Sequence, residues 1–575
     1  MLLPTRSLIL LTTTCLLRPT TATPPCPLEG PVFPKPLHLS QSNTIKTAVA
    51  NLTTTFEDFA VSSAKNFSFT LSVFSAHDAE PVFSFFHTAP KLASINTTGV
   101  KTVDSDTVFR IGSLTKVLTN YLFLINAGDR IWNEPITKYV DELRALGNGS
   151  EVTNTAWDQV TIGGLASQMT GIPRDYALLG ELTQTPATRD KVIEYGFPPL
   201  SDDERPPCGD FPTCDREQFF HGIASFYPSL APFTSPAYSN VAFQLLGYAL
   251  ETITGKTFDS LLQETLINPL GLNRTFLRKP EESLGVIQGT PAKTGWTFDL
   301  GESAAAGNMY TSITDLSTIG RSILSYKLLD PVPTRRWLKP FSFSTDPKAA
   351  VGAPWGARRI NVDPEQPYRW TTAYNKAGSI GMYSAVLAIL PDYDIGFAAL
   401  LHGDIPGNAN FHLLDMAGKI LLSAIESASR SEAASLYNGH YSSTTDKLNS
   451  SITISTDDLP GLSVTQWISN GTDFLRTSTI LQNGYTPVTP RIRLYPADLT
   501  NKKQVVFKAI FEDADAPSKE GMFSTDCATW VNVEAVIYGS AAMDEVIFNA
   551  VDEEQGGKAG SVSLPALRVT LDREG

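Results

Sequence analysis

Histidine is scarce in this sequence, seven among 575 residues, and none stands in an H-x-H-x-D or H-E-x-x-H spacing. The ligand patterns of a zinc enzyme are therefore missing, and neither a metal site nor a cofactor is expected. No G-x-S-x-G occurs, which argues against the strand–turn–helix nucleophile of α/β-hydrolases. No cluster of five or more basic residues is present and the formal charge is −14. Binding to phosphates needs a basic face, so nucleic acid is not an expected partner. After the N-terminal segment no apolar run is long enough to span a membrane. Internal repeats and low-complexity tracts are also lacking, which excludes solenoids and disordered arrays. What is left is a globular composition, 42% hydrophobic with 10% aromatics, in a chain long enough for two or three domains.

The first 22 residues read as an export signal. Arg6 precedes Ser7-Leu8-Ile9-Leu10-Leu11 and Cys15-Leu16-Leu17, and the small residues Thr20 and Ala22 suit cleavage after Ala22. A signal anchor is the alternative; with the signal removed, no membrane association is expected. Seven N-x-[ST] sequons, at Asn51, Asn66, Asn96, Asn148, Asn273, Asn449 and Asn470, fit a secreted glycoprotein. Past the signal four cysteines remain, an even number that in an exported chain predicts two disulfides. Cys208 with Cys214 closes a short loop, and Cys26 with Cys527 tethers the two ends of the mature chain. Free thiols are the alternative.

Residues 23–45 are Pro-rich and read as an extended segment, followed by a helical start at Thr47-Ala48-Val49-Ala50. Phe69 to Ser75 alternates like a half-buried strand, with Pro81 to His87 as its hairpin partner. A helix opening at Ser113 and ending at Gly128 is apolar on nearly every face, hence buried all round. Residues 241–254 form a second helix, ended by Gly255. Ser312-Ile313-Thr314-Asp315 resembles a capping box opening a third. Tyr383 to Leu390 and Ile395 to Leu401 make a hairpin across Pro391-Asp392-Tyr393-Asp394. Strands at both ends bracketing a helical middle predict an α+β fold, an antiparallel sheet flanked by helices with a helical subdomain. This domain is placed at 46–428. A serine-rich composition shift at 426–432 precedes strand-like runs at Ser451 to Ser455, Lys503 to Phe511, Val531 to Tyr538 and Ser561 to Thr570. Residues 435–575 are accordingly read as a C-terminal all-β domain, sandwich or barrel.

Ser113-Leu114-Thr115-Lys116 puts a hydroxyl and an amine about one turn apart on one helical face. Ser62-Ser63-Ala64-Lys65 has the same spacing, but beside the Asn66 sequon and hence near solvent. A lysine inside a buried helix is costly without a partner, so Lys116 is either structurally paired or bonded to a nucleophile. Tyr238-Ser239-Asn240 and Lys376-Ala377-Gly378 follow in chain order and supply a phenol, an amide and a second ammonium. That is an inventory for acyl transfer by a serine without histidine.

Phe109 to Lys116 resembles the active-serine block of class C β-lactamases, D-alanyl-D-alanine peptidases and related esterases. Gly164 to Pro173 is similar to the segment that reads LLSHTSGLP in this family, Pro236 to Asn240 to its Tyr-x-Asn block, and Ala306 to Tyr310 with Asp315-Leu316 to its GGLYST…DL segment. Lys376 to Gly381 resembles its Lys/His-Thr-Gly strand. The five blocks keep the family's order across roughly 46–425. The resemblance implies a β-lactamase/transpeptidase-like fold and a serine hydrolase forming an acyl-enzyme. It implies Ser113 as nucleophile, Lys116 as its activator and Tyr238 as proton relay, the phenol's pKa lowered by Lys116 and Lys376. It further implies Asn240, Lys376, Gly378 and Ser379 as binding and orienting residues, with the N–H groups of Ser113 and Ser379 as oxyanion donors. Ala377 departs from the family's threonine or serine, whose hydroxyl helps bind the carboxylate of β-lactams and of D-Ala peptides. Esters, amides or other acyl donors are therefore favoured, as small-molecule or peptide-like substrates. The stretch 181–233 interrupts the family pattern, as a stapled lid or a plain loop. An acyltransferase or esterase tailoring a small metabolite, and a catalytically silent binding protein, fit the same residues. The oligomeric state stays open.

Overall fold

The computed structural model describes residues 23–146, 150–209, 212–445, 447–501, 503–517, 520–554 and 556–574. The expected signal at 1–22 and the Asn148 sequon lie outside the described residues. The chain divides into two units, one of residues 29–363 and 370–432, the other of residues 1–28, 364–369 and 433–575.

The larger unit is built on α1 (Asn43–Ser62), β1 (Phe67–Ser75), β2 (Phe83–His87), α2 (Thr115–Asn126), α3 (Val241–Thr254) and α4 (Ile313–Leu324). The strands β3 (Ser342–Phe343), β4 (Ala349–Val351), β5 (Gly356–Asn361), β6 (Trp370–Ile380), β7 (Tyr383–Leu390) and β8 (Ile395–Gly403) follow, and then α5 (Ala409–Tyr437). One eight-stranded sheet runs in the order β2-β1-β8-β7-β6-β5-β4-β3, antiparallel throughout. On one face Leu52 and Phe56 of α1 and Leu413, Leu421 and Ile425 of α5 pack on Phe69, Leu71 and Val386. On the other, Phe74, Leu387 and Leu400 belong to the core that α2, α3 and α4 share.

That second helical layer explains one difference from expectation. β1 alternates apolar and polar residues, yet all nine positions are buried. Its polar face lies under α4 instead of water: Ser317 Oγ donates to Ser72 Oγ at 3.0 Å, and Ser68 Oγ accepts from the Ala89 N–H at 2.9 Å. The capping box at Ser312 is half formed. Ser312 Oγ accepts from the Asp315 N–H at 3.2 Å, but the Asp315 carboxylate turns to the Arg274 N–H and Thr275 hydroxyl, at 2.7 and 2.8 Å. The serine-rich stretch at 426–432 is helical, part of α5.

In the smaller unit, strands Ser451–Ser455, Gly439–Ser442, Val569–Arg573, Ser561–Leu564, Glu545–Asn549, Gln504–Asp513, Pro490–Asn501 and Leu462–Ser469 pair in that order, and the last returns to the first. The result is a closed, barrel-like sheet, which leaves few unpaired strand edges. Trp467, Phe507 and Phe548 are buried in it. Arg493, 1% exposed, is fully engaged: both terminal nitrogens donate to Asp457 at 2.7 Å and Nε donates to the Pro460 carbonyl at 2.8 Å. Phe474–Gln482 adds a helix to the strands. One local expectation fails here: Val531 to Tyr538 holds a 3-10 turn and a two-residue strand with exposed side chains. Those apolar residues have no inward face to alternate against, so their β character is not realised.

Both disulfides form as expected, Cys26–Cys527 and Cys208–Cys214. The asparagines of the other six sequons are all exposed. Among the described residues no helix is long and apolar enough to cross a membrane.

Candidate active site

Gly112-Ser113-Leu114 is a 3-10 turn leading into α2, and it lies against the last residues of β6. The approach is backbone to backbone. A Cβ at Gly378 would sit 2.1 Å from the Ile111 carbonyl oxygen and 2.5 Å from the Ser113 nitrogen, and one at Gly112 would sit 2.7 Å from the Ser379 nitrogen. Two glycines are therefore what let the serine turn meet the strand. β5 pairs with β6 only from Trp370 to Asn375, so the edge from Lys376 to Ile380 faces the serine turn instead of another strand.

Lys116 is 0% exposed. Its Nζ reaches Ser113 Oγ at 3.2 Å, Asn240 Oδ1 at 2.6 Å and the Ala306 carbonyl at 2.7 Å. The Tyr238 hydroxyl donates to Ser113 Oγ at 2.6 Å. Lys116 Nζ and Lys376 Nζ stand 5.0 and 5.4 Å from the Tyr238 ring centre. Asn240 and Ser379 line the same cleft as Ser113. Ser113, Lys116, Tyr238, Asn240, Lys376, Gly378 and Ser379 are thus brought together; Ser62 and Lys65 are not. All five quoted blocks converge. The Ile111 N–H donates to the Met309 carbonyl at 3.1 Å, and Gln168 clamps Ser239, accepting from its N–H and donating to its carbonyl at 2.5 and 3.1 Å. Ser239 Oγ then accepts from the Ala242 N–H at 3.0 Å, starting α3 with Tyr238 and Asn240 at its mouth.

The beta-lactamase family profile matches residues 76–416, more than half of the chain. The chain belongs to the beta-lactamase family. A second profile, "Beta-lactamase-like-like, C-terminal domain", matches residues 429–575. A "Beta-lactamase-like protein" of Arthroderma benhamiae is 29% identical over 95% of both chains. A "Probable hydrolase clz13" of Cochliobolus lunatus is 27% identical over 69% of this chain and 66% of its own. Among solved structures, the "Beta-lactamase/D-alanine Carboxypeptidase" of Yersinia pestis, complexed with citrate, is 18% identical and covers 67% of this chain and all of its own, at a TM-score of 0.48.

In this beta-lactamase family member the electrostatics correct one expectation. Burial pushes the Tyr238 phenol up from its ordinary pKa, against the opposing hydrogen bond with Ser113 and the nearby Arg174 guanidinium. Tyr238 is therefore a neutral phenol, not a phenolate lowered by the lysines. Burial first, and then Lys376 and Arg174, hold Lys116 well below the usual lysine range, with Asp175 opposing. Burial brings Lys376 down to about 8. Ala377 packs with the apolar side chains on the α1/α5 face of the sheet, opposite to Gly378, as the period of a strand requires. Its missing hydroxyl is thus a weaker guide to substrate than the sequence suggested.

Two neighbours escaped the sequence reading. Asn240 Nδ2 donates to Asp175 Oδ1 at 2.7 Å, which fixes the amide so that its oxygen faces Lys116. The Arg174 guanidinium lies 4.8 Å from the centre of the Tyr238 ring. The signal was available, an ion-pairing Arg174-Asp175 directly after the Gly164 to Pro173 block. Among the described residues no group of three or more His, Cys, Asp or Glu side chains is placed to hold a metal.

Proposed function

We propose that this protein is a secreted, glycosylated serine hydrolase acting through an acyl-Ser113 intermediate on an ester, amide or peptide-like substrate. The observation that carries this is Ser113 Oγ lying 3.2 Å from Lys116 Nζ and 2.6 Å from the Tyr238 hydroxyl. A neutral amine has two hydrogens and one lone pair. Asn240 Oδ1 and the Ala306 carbonyl take the hydrogens, and the lone pair is left for the Ser113 proton. Burial favours that neutral form.

In the acylation step Ser113 Oγ bonds to the substrate carbonyl carbon as its proton passes to Lys116. The N–H groups of Ser113 and Ser379 receive the oxyanion, each such donor contributing about 3 kcal/mol. When the bond to the leaving group breaks, Tyr238 gives its hydroxyl proton to the departing oxygen or nitrogen and recovers one from the Lys116 ammonium. Water then attacks the acyl-serine by the reverse sequence, giving free acid and serine. The catalytic machinery is assigned to 46–428, and a role for 435–575 is not needed for the chemistry. Two disulfides and exposed sequons support export through an oxidising compartment.

Labelling of the folded protein with a fluorescent fluorophosphonate, followed by peptide mapping, tests the reading. Adduct on Ser113, absent from Ser113→Ala, is expected. Adduct on Ser62, or none, overturns it.

A further inference from the structure

The cleft that holds Ser113 is nearly filled by its own walls. Ser113 and Ser379 share it with Leu178, Leu179, Leu300 and Ile380, and the free space among them is about 30 Å³. That is room for a group the size of one or two waters. Cavities that take drug-sized ligands run to about 300 Å³ or more.

Which part of a substrate meets this space follows from the groups around it. Ser379, whose N–H is assigned to the oxyanion, lines it, and so does Asn240; Tyr238 is not among the described residues that do. A leaving group protonated by Tyr238 departs on the phenol's side of Ser113. The space beside Asn240 and Ser379 is therefore left for the acyl group.

Both walls are held from behind. On one side the Leu300 N–H donates to Asn308 Oδ1 at 3.1 Å, and the same oxygen accepts from the buried Arg110 guanidinium at 3.0 Å. Ser303, which also lines the cleft, donates to Gln244 Oε1 at 2.6 Å. On the other side the Arg174 carbonyl accepts from the Asn240 N–H at 2.8 Å. Tyr176 then packs edge-on against Phe219 and Phe226, with ring centres 6.4 and 5.9 Å away. Next to it Ala177 and Leu179 take φ of 55° and 52°, a backbone that is costly for non-glycine residues and concentrates at ligand sites. Leu178 is 8% exposed and Leu179 59%, so the first leucine fills the inner end of the cleft and the second stands at its rim.

We propose that Leu178, Leu179 and Leu300 form a size-selective acyl site, which admits acetyl and other short acyl groups to Ser113 and excludes long ones. This rests on the acyl-enzyme reading above. An open apolar wall would reward each added methylene, whereas a filled one penalises it, because packed side chains must be displaced.

The test compares kcat/KM for the p-nitrophenyl esters of acetate, butyrate and octanoate. Wild type is expected to prefer acetate to butyrate about tenfold, with octanoate lower still. Leu179→Gly removes the rim side chain at a backbone conformation that glycine adopts freely, so the fold is kept. It should raise the octanoate-to-acetate ratio about tenfold. Leu178→Ala, checked by its melting temperature, should raise the butyrate-to-acetate ratio by opening the inner end. Ser113→Ala, alone and combined with Leu179→Gly, separates this proposal from the one it rests on. Turnover abolished by Ser113→Ala, with wild type using the three esters equally or both leucine variants keeping its ratios, overturns the size-selective site and leaves the acyl-enzyme reading standing. Turnover that survives Ser113→Ala with the preference for acetate intact, and relaxed by Leu179→Gly, supports the site and defeats the acyl-enzyme reading. No turnover of any ester by any variant overturns both.

Discussion

Ser62 and Ser113 each stand three residues before a lysine, at opposite kinds of place. Ser62 is the last residue of α1; its Oγ lies 3.1 Å from Ser63 Oγ, and both Ser62 and Lys65 are exposed. Ser113 sits in a turn pressed on a strand edge, and Lys116 behind it is 0% exposed with three oxygen neighbours. Spacing alone gives both pairs the same helical geometry. The difference lies in water. The Lys65 side chain lies in solvent, whereas at Lys116 burial disfavours the ammonium, which is what the proposed role as base needs. The proposed chemistry therefore depends on the fold withdrawing the lysine of an S-x-x-K tetrapeptide from solvent.

The most severe way to break this comparison is to remove the hydroxyls. Ser113→Ala should lower ester hydrolysis by about 10⁴-fold or more, while Ser62→Ala should leave kcat/KM at the wild-type value; steady-state assays of both variants decide it. Equal effects would erase the distinction.

Replacing the lysines comes next. Lys116→Met should cost about 10²–10⁴-fold in kcat, with Lys65→Met silent. A pH signature accompanies it. The folded pKa of Lys116 is depressed, so between that value and about 10.4 the unfolded chain binds more protons than the folded one. Stability from this group therefore rises with pH through that window and is lost as pH falls through the folded value. The melting temperature of wild type relative to Lys116→Met should climb as pH rises towards about 10.4. A constant difference would contradict the depressed pKa.

A smaller effect is expected at Asp175, whose carboxylate holds the Asn240 amide that accepts from Lys116. Asp175→Asn should lower kcat by about tenfold to a hundredfold through misplacement of the amide. It should also shift the acidic limb of the pH profile, which a purely structural residue would not do.

The mildest expectation concerns Lys376, whose ammonium is lost above about 8. For a carboxylate-bearing substrate kcat/KM should fall about tenfold between pH 7 and pH 9. Lys376→Arg should move that limb upward, because a guanidinium stays charged. A limb unmoved by the substitution would assign the titration to another group.

Much of this was legible before any coordinates. The runs that became α2, α3, β7 and β8 have unbroken apolar patterns bounded by glycines or a Pro-Asp turn, and local pattern and tertiary packing agree there. Where they disagree, the cause is a neighbour from elsewhere in the chain. The polar face of β1 is buried because α4, some 240 residues later, lies on it. Val531 to Tyr538 has β-forming residues but no core to face. In the site, the side chains were legible as types in order. The Asp175–Asn240–Lys116 chain of hydrogen bonds was not, because it joins positions 65 and 124 residues apart.

By itself the sequence determined which groups are present: one hydroxyl, two amines, a phenol and an amide on separate segments, two cysteine pairs, and the alternation of strand and helix that yields the sheet. Their protonation was decided by tertiary structure alone. Burial raises the Tyr238 phenol and lowers both lysines, and the depth of burial depends on which distant segments exclude water from the site. Composition and spacing fix what a side chain is; the dielectric around it, and so its charge at a given pH, belongs to the fold.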